Sequence, residues 1–325
     1  MAKALRLGTR GSELARTQSG HVAQAIADLL GVEVEKAVKE VIIRTQGDDT
    51  TVPLNESKTP GLFVNALRDS LLAGKVDFIV HSFKDLPSGP VEGITLVAVP
   101  QREDFHDVLV SHENQTLQEL PEGAVVGTSS PRRAAKLKFV RPDLQIVPIR
   151  GNIDTRIAKV RSGEYHATIL AAAGLNRIGR QSDIADELRL DVLLPAPAQG
   201  ALAVECRSDD EATIALLSKL DDCETRVITT AERALLVGVA ATCSTAIGAI
   251  AEFADGHLTV RAELSDPASA EFERAEISAP LTLPLGSSES LSEAHQLGMW
   301  AATKLLSTSL GERIAAQISE ERAGA

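Results

Sequence analysis

Aromatic residues make up only 3% of this 325-residue chain, with a single tryptophan and a single tyrosine. The interior must therefore be built from alanine, leucine, valine and isoleucine, and a surface that stacks nucleic-acid bases on rings is disfavoured. Positive charge is also in deficit. Acidic residues number 45 against 33 basic ones, a net charge of -12, which makes the chain a poor general binder of DNA, RNA or anionic membrane. Cysteine is scarce. Cys206, Cys223 and Cys243 are odd in number and widely spaced, so they fit neither a disulfide framework nor a zinc ligand set and suit a reducing compartment. No apolar run nears the roughly 20 residues a membrane helix needs, and Met1 to Arg10 lacks an apolar signal core. These absences lead us to expect a cytoplasmic protein without metal, membrane or nucleic-acid partners. Its length fits two or three domains.

Strand-like and helix-like segments alternate along the first two thirds. Residues 4–9 read as a strand, Glu13 to Leu30 as a helix with Ser12 as N-cap, and Val41 to Arg44 as a second strand. Leu62 to Ala73 reads as a helix stopped at Gly74, and Val76 to Ser82 as an apolar strand. The order then recurs. Gly8, Gly47 and Gly74 are matched by Gly127, Gly151 and Gly163 in similar local sequences, at offsets of 119, 104 and 89 residues. A shrinking offset in a fixed order implies a second lobe of like topology with shorter insertions. Alternation of this kind predicts an α/β fold with parallel pairing, and two such lobes would enclose a cleft. After Asp221 the pattern changes to a helix (Glu224 to Leu236), a hairpin about Asp255-Gly256, a further strand (Glu271 to Ile277) and a long helix (about Ser287 to Ser307). The expected division is 1–100 with 200–219 as lobe 1, 101–199 as lobe 2, and 220–325 as a small C-terminal α+β domain.

Arginines stand where a helix disfavours them. In Gly127-Thr-Ser-Ser-Pro-Arg-Arg133, Ser130 reads as an N-cap and Pro131 as the first helical residue, so Arg132 and Arg133 meet the positive end of the helix dipole. An anion between them, held also by free backbone N–H groups, would explain the placement. Arg150 and Arg156 flank the start of another helix, and Arg10 precedes the first. Between Arg132 and Arg161 nine basic residues face two acidic ones, a local reversal of the chain's charge. Lys136, Lys138 and Lys159 are expected on a solvated face. The five arginines are expected to bind carboxylate or phosphate, and planar guanidinium suits bidentate carboxylate pairing.

Two further residues carry possible chemistry. Asp85 follows the strand Phe78–Ser82, next to Lys84, at the carboxyl end where α/β folds bind ligands. By itself it also fits a plain turn aspartate before Pro87. Cys243 lies in a loop of small residues, where a nucleophile and a structural cysteine are both compatible with the sequence. Cys206 reads as core, and His81 as a packed strand residue.

Taken together, Thr9-Arg-Gly-Ser12, Gly61-Leu-Phe63, His81-Ser-Phe-Lys-Asp-Leu-Pro87, Arg102-Glu-Asp104, Gly127 to Arg133, Arg150-Gly-Asn152 with Thr155-Arg156, Leu170 to Leu175, Gln199-Gly200 and Cys243 resemble the porphobilinogen deaminase (hydroxymethylbilane synthase) family over essentially the whole chain. The resemblance implies two periplasmic-binding-protein-like (type II) lobes and a C-terminal domain. It implies a transferase that condenses four porphobilinogen molecules into a linear tetrapyrrole for haem-type biosynthesis, working as a monomer on porphobilinogen and the growing oligopyrrole. It also implies a dipyrromethane cofactor joined to Cys243 by a thioether, and Asp85 as the catalytic carboxylate. Lys84, Asp85, Ser130, Arg132 and Arg133 fall to cofactor binding. Arg10, Ser12, Phe63, Thr128, Ser129, Arg150, Arg156 and Gln199 fall to substrate binding.

This sequence departs from the family pattern in three places. Ala240-Ala-Thr242 stands where a Gly-Gly pair is usual, Phe105-His106 where Pro-Arg is common, and Pro60 where a lysine is common. The competing reading from residues alone is a non-catalytic two-lobed binding protein for a small polycarboxylate, which predicts no covalent adduct and no role for Asp85.

Overall fold

The structure, a computed structural model, describes residues 4–44, 64–242, 244–269 and 271–323. The chain forms two compact units, Met1–Glu103 with Ala201–Arg226 and Asp104–Gly200 with Val227–Ala325. The second unit takes in the stretch expected as lobe 2 together with most of the stretch expected as the C-terminal domain.

The first unit contains β1 (Leu5–Thr9), α1 (Glu13–Leu30), α2 (Val34–Ala37), β2 (Val38–Ile42), α3 (Asn65–Leu72), β3 (Phe78–Ser82) and β4 (Ile94–Ala98). After the chain returns come β10 (Leu202–Arg207) and α7 (Glu211–Leu217). Helix α1 has the expected bounds, with the Ser12 hydroxyl accepting from the Ala15 amide and Gly31 closing it at φ 65°. The second strand lies earlier than expected. β2 pairs residue for residue with β1, Leu5 beside Val38 through Thr9 beside Ile42. Being an edge strand it accommodates the charged Lys39 and Glu40, which the sequence pattern had left outside it. The sheet order is β2-β1-β3-β10-β4, with β1 parallel to β2 and β3, and β10 antiparallel to β3 and β4.

The second unit contains β5 (Asp107–Ser111), β6 (Val125–Gly127), α4 (Pro131–Val140), β7 (Gln145–Val147), α5 (Ile153–Arg161), β8 (Ala167–Ala171), α6 (Ala172–Arg177) and β9 (Asp186–Leu188). Its sheet order, β7-β6-β8-β5-β9, repeats the first with the same pattern of parallel and antiparallel neighbours. The duplicated topology expected from the glycine offsets is therefore present. It has a packing cause at Gly8 and Gly127. A Cβ on Gly8 would sit 2.9 Å from Ile79, and one on Gly127 2.9 Å from Ile149 and Tyr165.

Helix α8 (Cys223–Gly238) leads to β11 (Ala246–Ala254), β12 (His257–Ser265), β13 (Phe272–Pro280), α9 (Ser288–Leu306) and α10 (Ser309–Ala323). The three strands form an antiparallel meander. Its first turn places Asp255 (φ 51°) and Gly256 (φ 76°) in the left-handed region that a two-residue hairpin needs. Alternating Leu258, Val260, Ala262 and Leu264 face Leu235, Leu297, Ala301 and Ile314 in an aliphatic core. Within this unit the Ala249 amide donates to the Pro195 carbonyl (2.9 Å), and α4 packs on β11. Among the described residues no helix is long and apolar enough to cross a membrane.

Candidate active site

In the first unit the functional candidates cluster where β1 and β3 end side by side. Ser12 is occupied as the N-cap of α1, and Arg10 lies half-buried just before it. Ser82 is tied to α1, accepting from the Gln18 side-chain amide (2.9 Å). The chain then enters a 3-10 turn over Phe83–Asp85. Two buried residues pin this turn: Phe83, whose amide donates to the Ala201 carbonyl (3.0 Å), and Leu86, whose amide donates to Phe83 (3.2 Å). Between those anchors Lys84 is half-buried and Asp85 exposed. The aspartate is thus displayed on a fixed backbone.

Behind the turn lies a buried ionic cluster that sequence reading missed. Arg68 on α3 donates to both carboxylate oxygens of Glu205 on β10 (2.9 and 2.5 Å), and His81 Nε2 lies 3.5 Å from Glu205. Burial pushes the Glu205 carboxyl up, but its pairing with Arg68 and the nearby His81 outweigh it and bring it down to about 2. The only sequence sign was a glutamate in the otherwise apolar run Leu202–Cys206. His81 is buried, as expected of a packed strand residue, and Cys206 is core, its thiol pushed up to about 11 by burial.

In the second unit the candidates lie at the carboxyl ends of β6 and β7. The Thr128 hydroxyl accepts from the Ser130 amide (3.2 Å), and Ser129 donates to the Ile149 carbonyl (2.8 Å). Ser130 caps α4 and Pro131 is its first residue, as expected. Arg132 and Arg133 do flank an anion in this first turn, and that anion belongs to the chain. Arg132 Nη1 donates to Asp107 Oδ2 and to the Leu194 carbonyl (both 2.6 Å). Arg133 donates to Asp107 Oδ1 through Nε (3.1 Å) and Nη2 (2.6 Å), and to the Ile169 carbonyl through Nη1 (2.7 Å). The Gln199 side-chain amide donates to the same carboxylate (3.0 Å) and to the Phe105 carbonyl (2.8 Å). Burial alone would raise the Asp107 carboxyl. The two guanidinium groups overcome that and hold it well below the usual carboxylate range. Asp107 was missed because no local spacing links it to Arg132 and Arg133.

Farther along the same edge, Gly151 (φ 109°) and the N-cap Asn152 set the start of α5. A Cβ on Gly151 would lie 2.5 Å from Thr155. Arg150 is half-buried. Arg156 donates to the Gly151 carbonyl (2.9 Å) and has no acidic partner among the described residues. Burial, and then repulsion from Arg133, lower its pKa. An inward-set cation beside another cation is the donor set a carboxylate-bearing ligand requires.

The expectation for Lys136 is corrected. Lys136 is not on a solvated face: it is 3% exposed and donates to Glu263 (2.8 Å), with its ammonium 3.6 Å from the Phe272 ring centroid. The ion pair ties α4 to β12, and burial without a partner would be prohibitive. Lys159 pairs loosely with Glu164 at 3.4 Å, as a surface residue does. His106 sits against Asp104 (2.8 Å), with Glu187 at 3.8 Å. Phe63, Pro60 and Cys243 lie outside the described residues.

Fold and site define a duplicated α/β protein, with an exposed carboxylate just beyond the central strand of one sheet and arginines at the strand ends of the other. Residues 5–215 match the family model "Porphobilinogen deaminase, dipyromethane cofactor binding domain", and residues 227–307 match "Porphobilinogen deaminase, C-terminal domain". The chain is 52% identical over 259 residues to porphobilinogen deaminase 1 of Streptomyces coelicolor, covering 78% of this chain and 80% of that one. It is 47% identical over 279 residues to the porphobilinogen deaminase of Thermobifida fusca, covering 85% and 86%. Among solved structures it is similar to an arginine-specific periplasmic binding protein of Salmonella typhimurium, with TM-score 0.38, 13% identity, and coverage of 67% of this chain and 92% of that one. The chain belongs to the porphobilinogen deaminase family.

Proposed function

We propose that the chain joins four porphobilinogen molecules head to tail on a dipyrromethane primer carried by Cys243, releasing ammonia and then linear hydroxymethylbilane. The observation that carries this reading is the basic edge of the second unit. There Arg156 has only a carbonyl partner among the described residues, while each pyrrole brings an acetate and a propionate. When bound, dipyrromethane would supply a nucleophilic pyrrole carbon, and it would stay with the protein once water cleaves the bond that joins the tetrapyrrole to it.

The chain's own residues divide the remaining work. Asp85, exposed on its pinned turn, places a carboxylate beside the cation that forms as ammonia leaves, and accepts a hydrogen bond from the pyrrole N–H. It also takes up and returns the proton that restores the aromatic ring. Lys84 offers Asp85 a neighbouring positive charge. Arg10, Arg150 and Arg156 pair with substrate carboxylates in forked geometry. Arg132 and Arg133, side chains that Asp107 orients, are assigned to cofactor carboxylates. Ser12, Thr128, Ser129 and Ser130 line the helix starts where backbone N–H groups face the ligand. Phe63 is assigned to the substrate wall, and Gln199 serves the site by way of Asp107. Sparse cysteine supports a cytoplasmic setting. We further propose a monomer that needs no metal, with residues 220–325 as a third domain.

Intact mass tests the proposal. The wild type is expected to exceed its sequence mass by two porphobilinogen units less two ammonia, and Cys243→Ser is expected not to. A wild type that gains no mass even after porphobilinogen is added would shift the reading to the non-catalytic polycarboxylate binder.

A second test separates the arginines. Arg156→Ala is expected to raise the KM for porphobilinogen about tenfold or more, the loss of one charge-assisted pair, with stability retained because no acidic partner is orphaned. Arg132→Ala is expected to weaken binding and also to destabilise the fold, since Asp107 then loses one of its two cations. Equal KM in Arg156→Ala and wild type would remove Arg156 from the site.

A further inference from the structure

The last helix, α10, lies beyond residue 307, where the match to the family's C-terminal domain ends. It packs through Leu310, Ile314 and Ile318, a buried stripe at helical spacing on the core of β13 and α9. Glu321 continues that stripe one turn farther, where a carboxylate replaces the apolar residue. It also sits in the final turn, the negative end of the helix dipole, where an acidic residue is disfavoured. Its placement is therefore not explained by the helix that carries it.

Its contacts are specific. Glu321 Oε2 accepts from the Thr242 hydroxyl (3.0 Å) and from the Ser244 hydroxyl (2.7 Å), the residues on either side of Cys243. The two hydroxyls lie 2.7 Å apart, and the Thr242 amide donates to the Thr245 hydroxyl (2.9 Å). This stretch needs an external tie. Two residues past the end of α8, Ala240 stands at φ 57°, a left-handed position normally given to glycine. The Ala240 and Ala241 amides close the end on Val237 and Leu236 (both 3.0 Å). A side-chain-bearing residue held in that conformation invites the following residues to relax unless something holds them.

We infer that Glu321 is a positioning residue, a brace from outside the family-matched core that fixes the residues flanking Cys243 so that the primer can be attached. This rests on the reading of Cys243 as the attachment residue. The brace acts on primer loading, before any turnover.

The test follows primer loading by intact mass after porphobilinogen is added to cofactor-free protein, alongside hydrogen exchange of the Thr242 and Thr245 amides. Glu321→Ala is expected to load about tenfold more slowly, and those amides to exchange about tenfold faster, for loss of two charge-assisted hydrogen bonds. Glu321→Gln, which keeps one acceptor oxygen, should fall between. Adding Ala240→Gly to Glu321→Ala should recover most of the loading rate, because glycine holds the left-handed position without strain. Loading and exchange in Glu321→Ala that match wild type would overturn the brace. If the wild type itself loads nothing, the reading of Cys243 fails, and unchanged exchange would then overturn the brace on its own.

Discussion

Replacing Asp85 with alanine is expected to lower turnover by about three orders of magnitude, the scale seen when one preorganised electrostatic group is removed from a site. Stability should barely change. Asp85 is exposed, and among the described residues its carboxylate has no hydrogen-bond or ion-pair partner, so folding gains little from it. The turn that carries it is held by Phe83 and Leu86, which the substitution leaves alone. Asp85→Asn is the sharper variant, because it keeps the shape and removes only the charge. It should be nearly as inactive if the carboxylate works by stabilising a cation and moving a proton. The measurement is kcat on protein whose mass shows the cofactor, with KM recorded separately. The loss should fall on kcat, since the group acts on charge that develops in the transition state. An Asp85→Ala enzyme within about tenfold of wild type would remove Asp85 from the catalytic role, since a lone surface carboxylate could account for so small an effect.

What the sequence disclosed and what it concealed divide by the range of the forces involved. Local rules delivered α1 with its Ser12 N-cap, the Asp255-Gly256 hairpin and the Ser130-Pro131 start of α4, because each is settled within a few residues. The duplicated lobe was legible through Gly8 and Gly127, since close packing against an isoleucine at each site excludes a side chain. Pairing between distant segments was not legible. β5 and β10, each the first strand after the chain passes between units, enter the two sheets antiparallel, and nothing in their alternation reveals it. The same limit explains the charged residues. Lys136 looks solvated until Glu263 arrives from 127 positions away. The arginine pair of α4 was read as waiting for a ligand anion, and helix-end physics could not point to Asp107, which occupies that place from within the chain. Arg156 differs from that pair, since its charge meets another arginine, Arg133, and no acidic partner among the described residues.

The largest stability effect is expected at Asp107. Its side chain is fully enclosed and answers Arg132, Arg133 and Gln199 together, so Asp107→Ala would leave two buried guanidinium groups without their shared counter-charge. Breaking a buried pair from one side costs about 3–5 kcal/mol, because the charge left behind is uncompensated. For a unit of this size that corresponds to a fall in thermal midpoint of about 10 °C. Asp107→Asn should lie between, keeping an oxygen acceptor without the charge. The pH dependence follows from the same pairing. The Asp107 carboxyl is depressed in the folded chain, so its contribution is complete above the ordinary carboxylate pKa. It fades as pH falls toward the folded-state value, when the unfolded chain takes up the proton first. Glu205, brought down to about 2, contributes with the same sign. Wild type should therefore lose stability steadily as pH drops below about 4, and Asp107→Ala should lose less over that range. The function should suffer with the fold. Asp107 anchors the first turn of α4, and that turn sets the direction of Arg132 and Arg133, so the variant should also bind porphobilinogen more weakly at temperatures where it remains folded. A midpoint and acid profile in Asp107→Ala that match wild type would mean that the arginine pair is held without its internal anion, and the ligand would then be the only counter-charge left to explain two arginines at the positive end of a helix.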